Sequence, residues 1–285
     1  MRFRSFLLLV MLFACGALGL LFAQKEWKQY PGQTPWPVAP DYREPHEWVW
    51  ARLRYSGGGG FGGGFGFGGG GGRSGGGGGS RGAWSTDYPK GDRILVAGLK
   101  RLTLLDTRSV EQTIDLDGSD DVYNWPFLYA VEVGAWNLDD AEAKQLREFI
   151  DRGGFFMVDD FHCNQQWLSF MDSFQLVYGE EEVVDIPEND PINRSVFDLN
   201  PRKQIPGAQF TRSGRMDECG GSSEGIPHWR GVYDKRQRLV AVMVHNSDLG
   251  DAIEYADDPY YPQEFADRKS TRLNSSHIPL SRMPS

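Results

Sequence analysis

The chain has 285 residues and a formal charge of −9. That length holds one large domain or two small ones, with an ample core. An acidic chain with no basic stripe excludes nucleic acid as the expected partner, because phosphate backbones call for clustered Lys and Arg.

Residues 1–23 read as an export signal: Arg2 and Arg4, an apolar run from Phe6 to Ala23, then Gln24-Lys25-Glu26. Leu21-Phe22-Ala23 is only a fair cleavage site, so the same run is also long enough to remain as a thin membrane anchor. Leu12-Phe13-Ala14-Cys15 approximates a lipidation box, with a bulky Phe13 against it. Each reading places the remaining chain outside the cytoplasm, periplasmic or exported, and touching the membrane only through residues 6–23. Residues 24–47 carry five prolines and no apolar period, which predicts an extended tether. Val49, Ala51, Leu53 and Tyr55 then alternate with Trp50, Arg52 and Arg54, the pattern of a first strand.

Residues 57–82 contain 19 glycines. Gly64 to Gly69 satisfies G-x-G-x-x-G, but a run this rich matches by chance, and no helix follows at once to aim amide groups at a phosphate. The expected state is a disordered insertion.

Ser85-Thr86-Asp87 with Pro89 predicts a helix start, with Leu95, Leu99 and Leu102 on one face. Short strands follow near 112–116 and 127–133. Asn137 is expected to cap a helix with Asp139, Asp140 and Glu142 in its first turn and Ala141, Leu146, Phe149 and Ile150 buried. Gly153-Gly154 ends it. Phe155 to Val158 is an unalternating apolar strand, as expected under helices on both faces. Trp167, Phe170, Met171 and Phe174 mark the next helix, and residues 228–248 predict a hairpin around Asp234-Lys235-Arg236-Gln237. The expected fold class is α/β, a mainly parallel sheet with helices on both faces and an antiparallel edge hairpin.

The stretches "ARLRYSGG", "WSTDYPKGDR", "YNWPFLYAVEVG", "LREFIDRGGFFMVDDF", "HWRGVYD" and "HNSDLGD" cover most of residues 48–265. Together they resemble the bacterial family known as domain of unknown function 4159. The resemblance implies a flavodoxin-like fold similar to class I glutamine amidotransferases and trehalose-utilisation-type proteins, in an envelope-associated setting. It implies no activity. The domain it covers is drawn as residues 48–266.

In that arrangement a nucleophilic cysteine occupies a tight turn between strand and helix, where Cys163 falls. Such an elbow wants small residues two before and two after; here these are Phe161 and Gln165. That departure counts against a nucleophile paired with His245. Because buried, inert cysteine is common, an unpaired structural thiol is the expected state, with a disulfide to Cys219 as an alternative. The polar groups expected at the strand carboxyl ends are Asp159, Asp160 and His162 on one side, with His245, Asp248 and Asp251 on the other. Oxygen and imidazole donors there suit a divalent cation or a polyol, although their spacing matches no established metal motif. Carboxylates that cap helices and tie loops are the plainer reading. Asn189-Asp190-Pro191-Ile192 resembles a His-Pro-Ile element with Asp190 in the histidine's place, and reads as an Asp-Pro turn. No cofactor is implied.

The functional expectation is an exported envelope protein acting as a non-catalytic binding or assembly module, its partner an envelope protein or a small polar ligand. The alternative is a thiol-dependent hydrolase using Cys163 and His245. Finally, "ADRKSTRLNSSH" and "SRMPS" read as an in-frame translation of a sequencing-library adapter, so residues 267–285 are expected to be non-native. That tail is basic, with four cations against Asp267; setting it aside with Arg2 and Arg4 leaves −14. The native chain is expected to continue instead into an amphipathic helix.

Overall fold

The computed structural model describes residues 39–56, 83–194, 199, 203–221, 223–256, 258–262 and 265. The expected export signal, most of the expected tether, the glycine-rich run and the 267–285 tail lie outside the described residues. Among the described residues, no helix is long and apolar enough to cross a membrane.

The chain alternates strand and helix. β1 spans Ala51–Arg54, α1 Lys90–Leu102, β2 Gln112–Asp115, β3 Phe127–Val131, α2 Asp140–Asp151, β4 Phe155–Asp159 and α3 Cys163–Phe174. β5 (Val184–Asp185), α4 (Phe210–Ser213), β6 (His228–Tyr233), β7 (Leu239–His245) and α5 (Leu249–Glu254) complete it. The seven strands lie in the order β2-β1-β3-β4-β7-β6-β5, parallel from β2 to β7. β6 pairs antiparallel with both its neighbours, forming the expected hairpin near one edge.

Period-two alternation sorts the side chains between two cores. Ala51, Leu53, Leu128, Ala130, Phe156, Val158, Ala241 and Met243 join the buried faces of α2 and α3. Within that core Trp136 stacks on Phe156 and Phe170 with centroids 6.2 and 5.1 Å apart. The opposite row packs Trp50, Tyr129 and Val131 against Val96 of α1, and Val242 and Val244 against Leu249 of α5. With both sheet faces covered, a polar position on a strand does not reach solvent.

Arg52 is therefore buried, at 1 % exposure, and Asp92 beside it at 2 %. Arg52 Nε donates to Asp92 Oδ1 at 3.1 Å, and Nη1 to the carbonyls of Trp84 and Thr86 at 3.1 and 2.7 Å. The Trp50 indole donates to the same Asp92 oxygen. These bonds hold residues 83–88 in turns, so the helix begins at Lys90 rather than in the Ser85-Thr86-Asp87 stretch.

Two further expectations shift. Asp139, not Asn137, caps α2: its carboxylate accepts from Ala141 N and Glu142 N while Glu142 reaches back to Asp139 N. Ala141 is exposed, and Ala143 and Gln145 take its place on the buried face. The end of the expected tether is also packed: Tyr42 is buried under the Arg108 guanidinium, and Asp41 accepts from Ser109 N at 3.0 Å.

Removing one partner of a buried ion pair strands the other charge, at a cost of about 3–5 kcal/mol. We predict that Arg52→Met lowers the urea unfolding midpoint by that equivalent, and that Arg52→Met with Asp92→Leu recovers most of the loss. A double variant as unstable as the sum of the two single variants would contradict the pairing.

Candidate functional site

The carboxyl ends of the parallel strands converge on a ring of unusual backbone. β3 runs into Glu132, β4 into Asp160, and β7 into Asn246. Among the described residues six non-glycine positions have left-handed φ, and five of them lie here: Asp87, Glu132, Asp160, Cys163 and Asn246. Left-handed backbone costs a non-glycine residue about 1–2 kcal/mol and gathers where surroundings over-determine the chain.

The predicted aspartates divide by role. Asp159 Oδ2 accepts from Leu249 N at 2.6 Å and Gly250 N at 3.0 Å, so β4 caps the start of α5. Asp248 is the N-cap of the same helix, accepting from Asp251 N at 2.7 Å. Asp251 Oδ2 accepts from Ala208 N at 2.5 Å and ties in the 203–209 loop. Asp160 turns away from the strand line and takes His162 Nε2 on Oδ1 at 3.0 Å. Capping and loop-tying thus account for part of this carboxylate set. Asp190 likewise sets a turn, accepting from Ile192 N and from the Tyr233 hydroxyl at 2.9 and 2.6 Å.

What capping does not account for is their crowding. One carboxylate oxygen each of Asp87, Asp160 and Asp248 lie within 4.8 Å of one another, and Asp87, Asp251 and Glu254 form a second such group. Asp160 and Asp248 are 6 % and 3 % exposed. Asp87 Oδ2 is shut from solvent and takes no N–H or hydroxyl donor among the described residues, while the carboxyl of Glu254 approaches the same side chain. Burial pushes the carboxyls of Asp87, Asp160 and Asp248 well above the usual range, and their neighbouring acids push further. Glu132 at the end of β3 is raised to about 7, by burial and then by Glu218 and Asp251, against an opposing pull from His162. An all-oxygen donor set of this kind suits a hard divalent cation.

Sequence reasoning missed Asp87, which lies 73 residues before Asp160 and read as part of a helix start. Its access depends on Gly250: a Cβ there would run into Asp87 Oδ2.

Cys163 and His245 form no dyad. Cys163 is joined to Cys219 in a disulfide, correcting the expected unpaired thiol, and a bonded sulfur is not a nucleophile. His245 Nε2 meets the backbone carbonyl of Cys163, at 3.1 Å, not its sulfur. The steric argument against an elbow is also corrected: Cys163 has φ +62, Phe161 is absorbed into the core, and Gln165 points to solvent.

Asn246, also missed, holds this corner. Its Oδ1 accepts from Cys163 N at 2.7 Å, and its Nδ2 donates to the carbonyls of Glu224 and Ile226, each at 2.7 Å. A left-handed conformation is one Asn adopts readily, leaving both ends of the amide free for these bonds.

Burial, then the nearby Arg230 charge, lowers His245 to about 3 despite the Cys163 carbonyl. An unfolded imidazole titrates near ~6.5. Because the folded value is the lower, His245 takes nothing from stability above about pH 6.5, and its contribution is lost progressively as pH falls from there toward 3. We predict no titration of the His245 ring proton above pH 5 by NMR; a midpoint near 6.5 would contradict its burial.

No curated protein matches the chain. The sequence profile of the domain of unknown function DUF4159 matches residues 74–276. The match begins within the glycine-rich run and ends ten residues beyond the expected domain boundary at 266, inside the stretch expected to be non-native. Covering well over half of the chain, it shows that this protein belongs to the DUF4159 family.

Proposed function

We propose that the protein is an exported, non-catalytic binding module of the bacterial envelope, and that its domain holds a hard divalent cation between Asp87, Asp160 and Asp248. The observation that carries this reading is Asp87 Oδ2, buried, without an N–H or hydroxyl donor among the described residues and set among two other buried carboxyls. Two unit charges 4.8 Å apart repel by roughly 3 kcal/mol at an effective dielectric of about 20. The three acids therefore stay protonated, or they share a cation that offsets the repulsion. The cap positions and the loop bond at Asp251 keep the oxygens converged in either state.

Other features support the setting. The disulfide suits an oxidising compartment outside the cytoplasm, as does the charged-then-apolar start of the chain. The strand order β2-β1-β3-β4 followed by β7 supports a flavodoxin-like, amidotransferase-like sheet. In such sheets ligands bind beyond the carboxyl ends where the order reverses, between β1 and β3. Tyr55 and Glu132 meet at that point, the tyrosine hydroxyl bonding the Glu132 carbonyl at 2.8 Å.

Calorimetric titration with Ca²⁺, and separately with Mn²⁺, is expected to show one cation per chain. At a hundredfold excess over Kd the stabilisation should be about 2.7 kcal/mol, a Tm rise of roughly 5–10 °C. Asp160→Asn and Asp248→Asn should abolish binding, and Gly250→Ala should weaken it by displacing Asp87. If neither ion binds and Asp160→Asn raises Tm, the cluster is a protonated structural device and the reading fails.

A further inference from the structure

Cys163 stands three residues after Asp160, and Glu218 immediately precedes Cys219. A bond between the two cysteines therefore ties an exposed glutamate to the end of β4, across 56 residues of chain.

The local geometry dictates where that glutamate goes. The Cα atoms of Cys163 and Cys219 are 5.5 Å apart. The loop around Cys219 is closed on itself, because Asp217 Oδ1 accepts from Cys219 N and Gly221 N, each at 2.9 Å. Gly220 and Gly221 supply the left-handed backbone of this turn, with φ +76 and +80. Further along, the chain hangs on Asn246 through the Glu224 and Ile226 carbonyls. So held, Glu218 brings Oε1 to 3.8 Å from His162 Nε2, the nitrogen that sits 3.0 Å from Asp160 Oδ1. Only an imidazole separates Glu218 from a carboxylate of the acid cluster.

Charge makes that position matter. Burial raises the Asp160 carboxyl first, and the charges of Glu132 and Glu218 raise it further. His162 is 5 % exposed, so the path between the two carboxylates runs through protein rather than water. A field that draws one proton to Asp160 draws a doubly charged ion about twice as strongly. Groups that support a metal ligand from behind also fix its orientation and tune its affinity.

Glu218 keeps its place while its loop is fastened. A dithiol can undo the fastening: it supplies two electrons and two protons, the S–S bond breaks, both protein sulfurs become thiols, and the reagent closes to its own disulfide. Both cysteines are half-buried rather than sealed in the core, so such a reagent can reach them.

We infer that the Cys163–Cys219 disulfide is a redox switch on the cation site, which holds its ion tightly only while the bond keeps Glu218 against His162. The inference rests on the cation reading above. The domain is then loaded in an oxidising compartment and holds its ion weakly in a reducing one.

The test is calorimetric titration of the full chain with Ca²⁺, oxidised and after reduction with dithiothreitol. Reduction should weaken binding about tenfold, the lower end of the effect for a group supporting a ligand. Glu218→Gln, at an exposed position, should weaken the oxidised protein about as much, and reducing that variant should add less than about twofold. By reciprocity, saturating Ca²⁺ should lower the reduction potential of the disulfide by about 30 mV, the same tenfold for a two-electron couple. If the reduced chain loses its fold, the oxidised Glu218→Gln titration decides alone. An oxidised chain that binds no ion would sink the cation reading itself. Equal affinity in both redox states, or undiminished affinity in Glu218→Gln, would overturn the switch and leave that reading intact. Reduction weakening Glu218→Gln as much as the parent would make the disulfide a general staple, and would overturn the switch as well.

Discussion

The Arg52 guanidinium, buried in a parallel strand, is the constraint from which the rest of the site follows. A charge in that position has no water to turn to, so the chain must bring partners to it. Asp92 comes from α1, and the Trp84 and Thr86 carbonyls come from the turns that precede it. Against well-packed apolar residues such a pair contributes little net stability, because desolvation offsets the attraction. What it fixes is position. By holding residues 84–86 it delivers Asp87 to the carboxyl end of the sheet, where the strands deliver Asp160 and Asp248.

A second knot holds the neighbouring corner. Asn246 and the Cys163–Cys219 disulfide gather the ends of β4 and β7, the start of α3 and the 217–226 loop. Neither knot is made from apolar packing. Polar groups in a covered sheet must find specific partners, and those partners dictate which loops meet. The acid cluster is therefore one product of a general requirement, that the strand ends be closed over with few orphaned polar groups. Asp87 Oδ2 is an exception to that closure.

The fold was legible because apolar periodicity is local. Phe155 to Val158, residues 127–131 and the 228–245 hairpin announced themselves within a few residues, and the strand-helix alternation implied a parallel sheet. The α2 cap was legible too, since Asp139 with Glu142 three residues on is a capping box; the competing Asn137 obscured it. Arg52 was not legible, because alternation shows which residues share a face and not whether a helix covers that face. Asp87 was out of reach, and the Cys163–Cys219 bond was legible only as an alternative to a free thiol, for a different reason. Their contacts span 73 and 56 residues, and no short-range pattern encodes such a meeting. Cys163 shows the limit of motif sterics: bulky neighbours were expected to disfavour a nucleophile elbow, yet the residue is left-handed with Phe161 buried and Gln165 exposed, and it is the disulfide that removes the nucleophile.

The most direct test of the account is anomalous diffraction from crystals of the protein grown with Mn²⁺. The account predicts one strong peak coordinated by carboxylate oxygens of Asp87, Asp160 and Asp248, lost in Asp160→Asn crystals. A map without density at that point, or with manganese only at surface carboxylates, would contradict it.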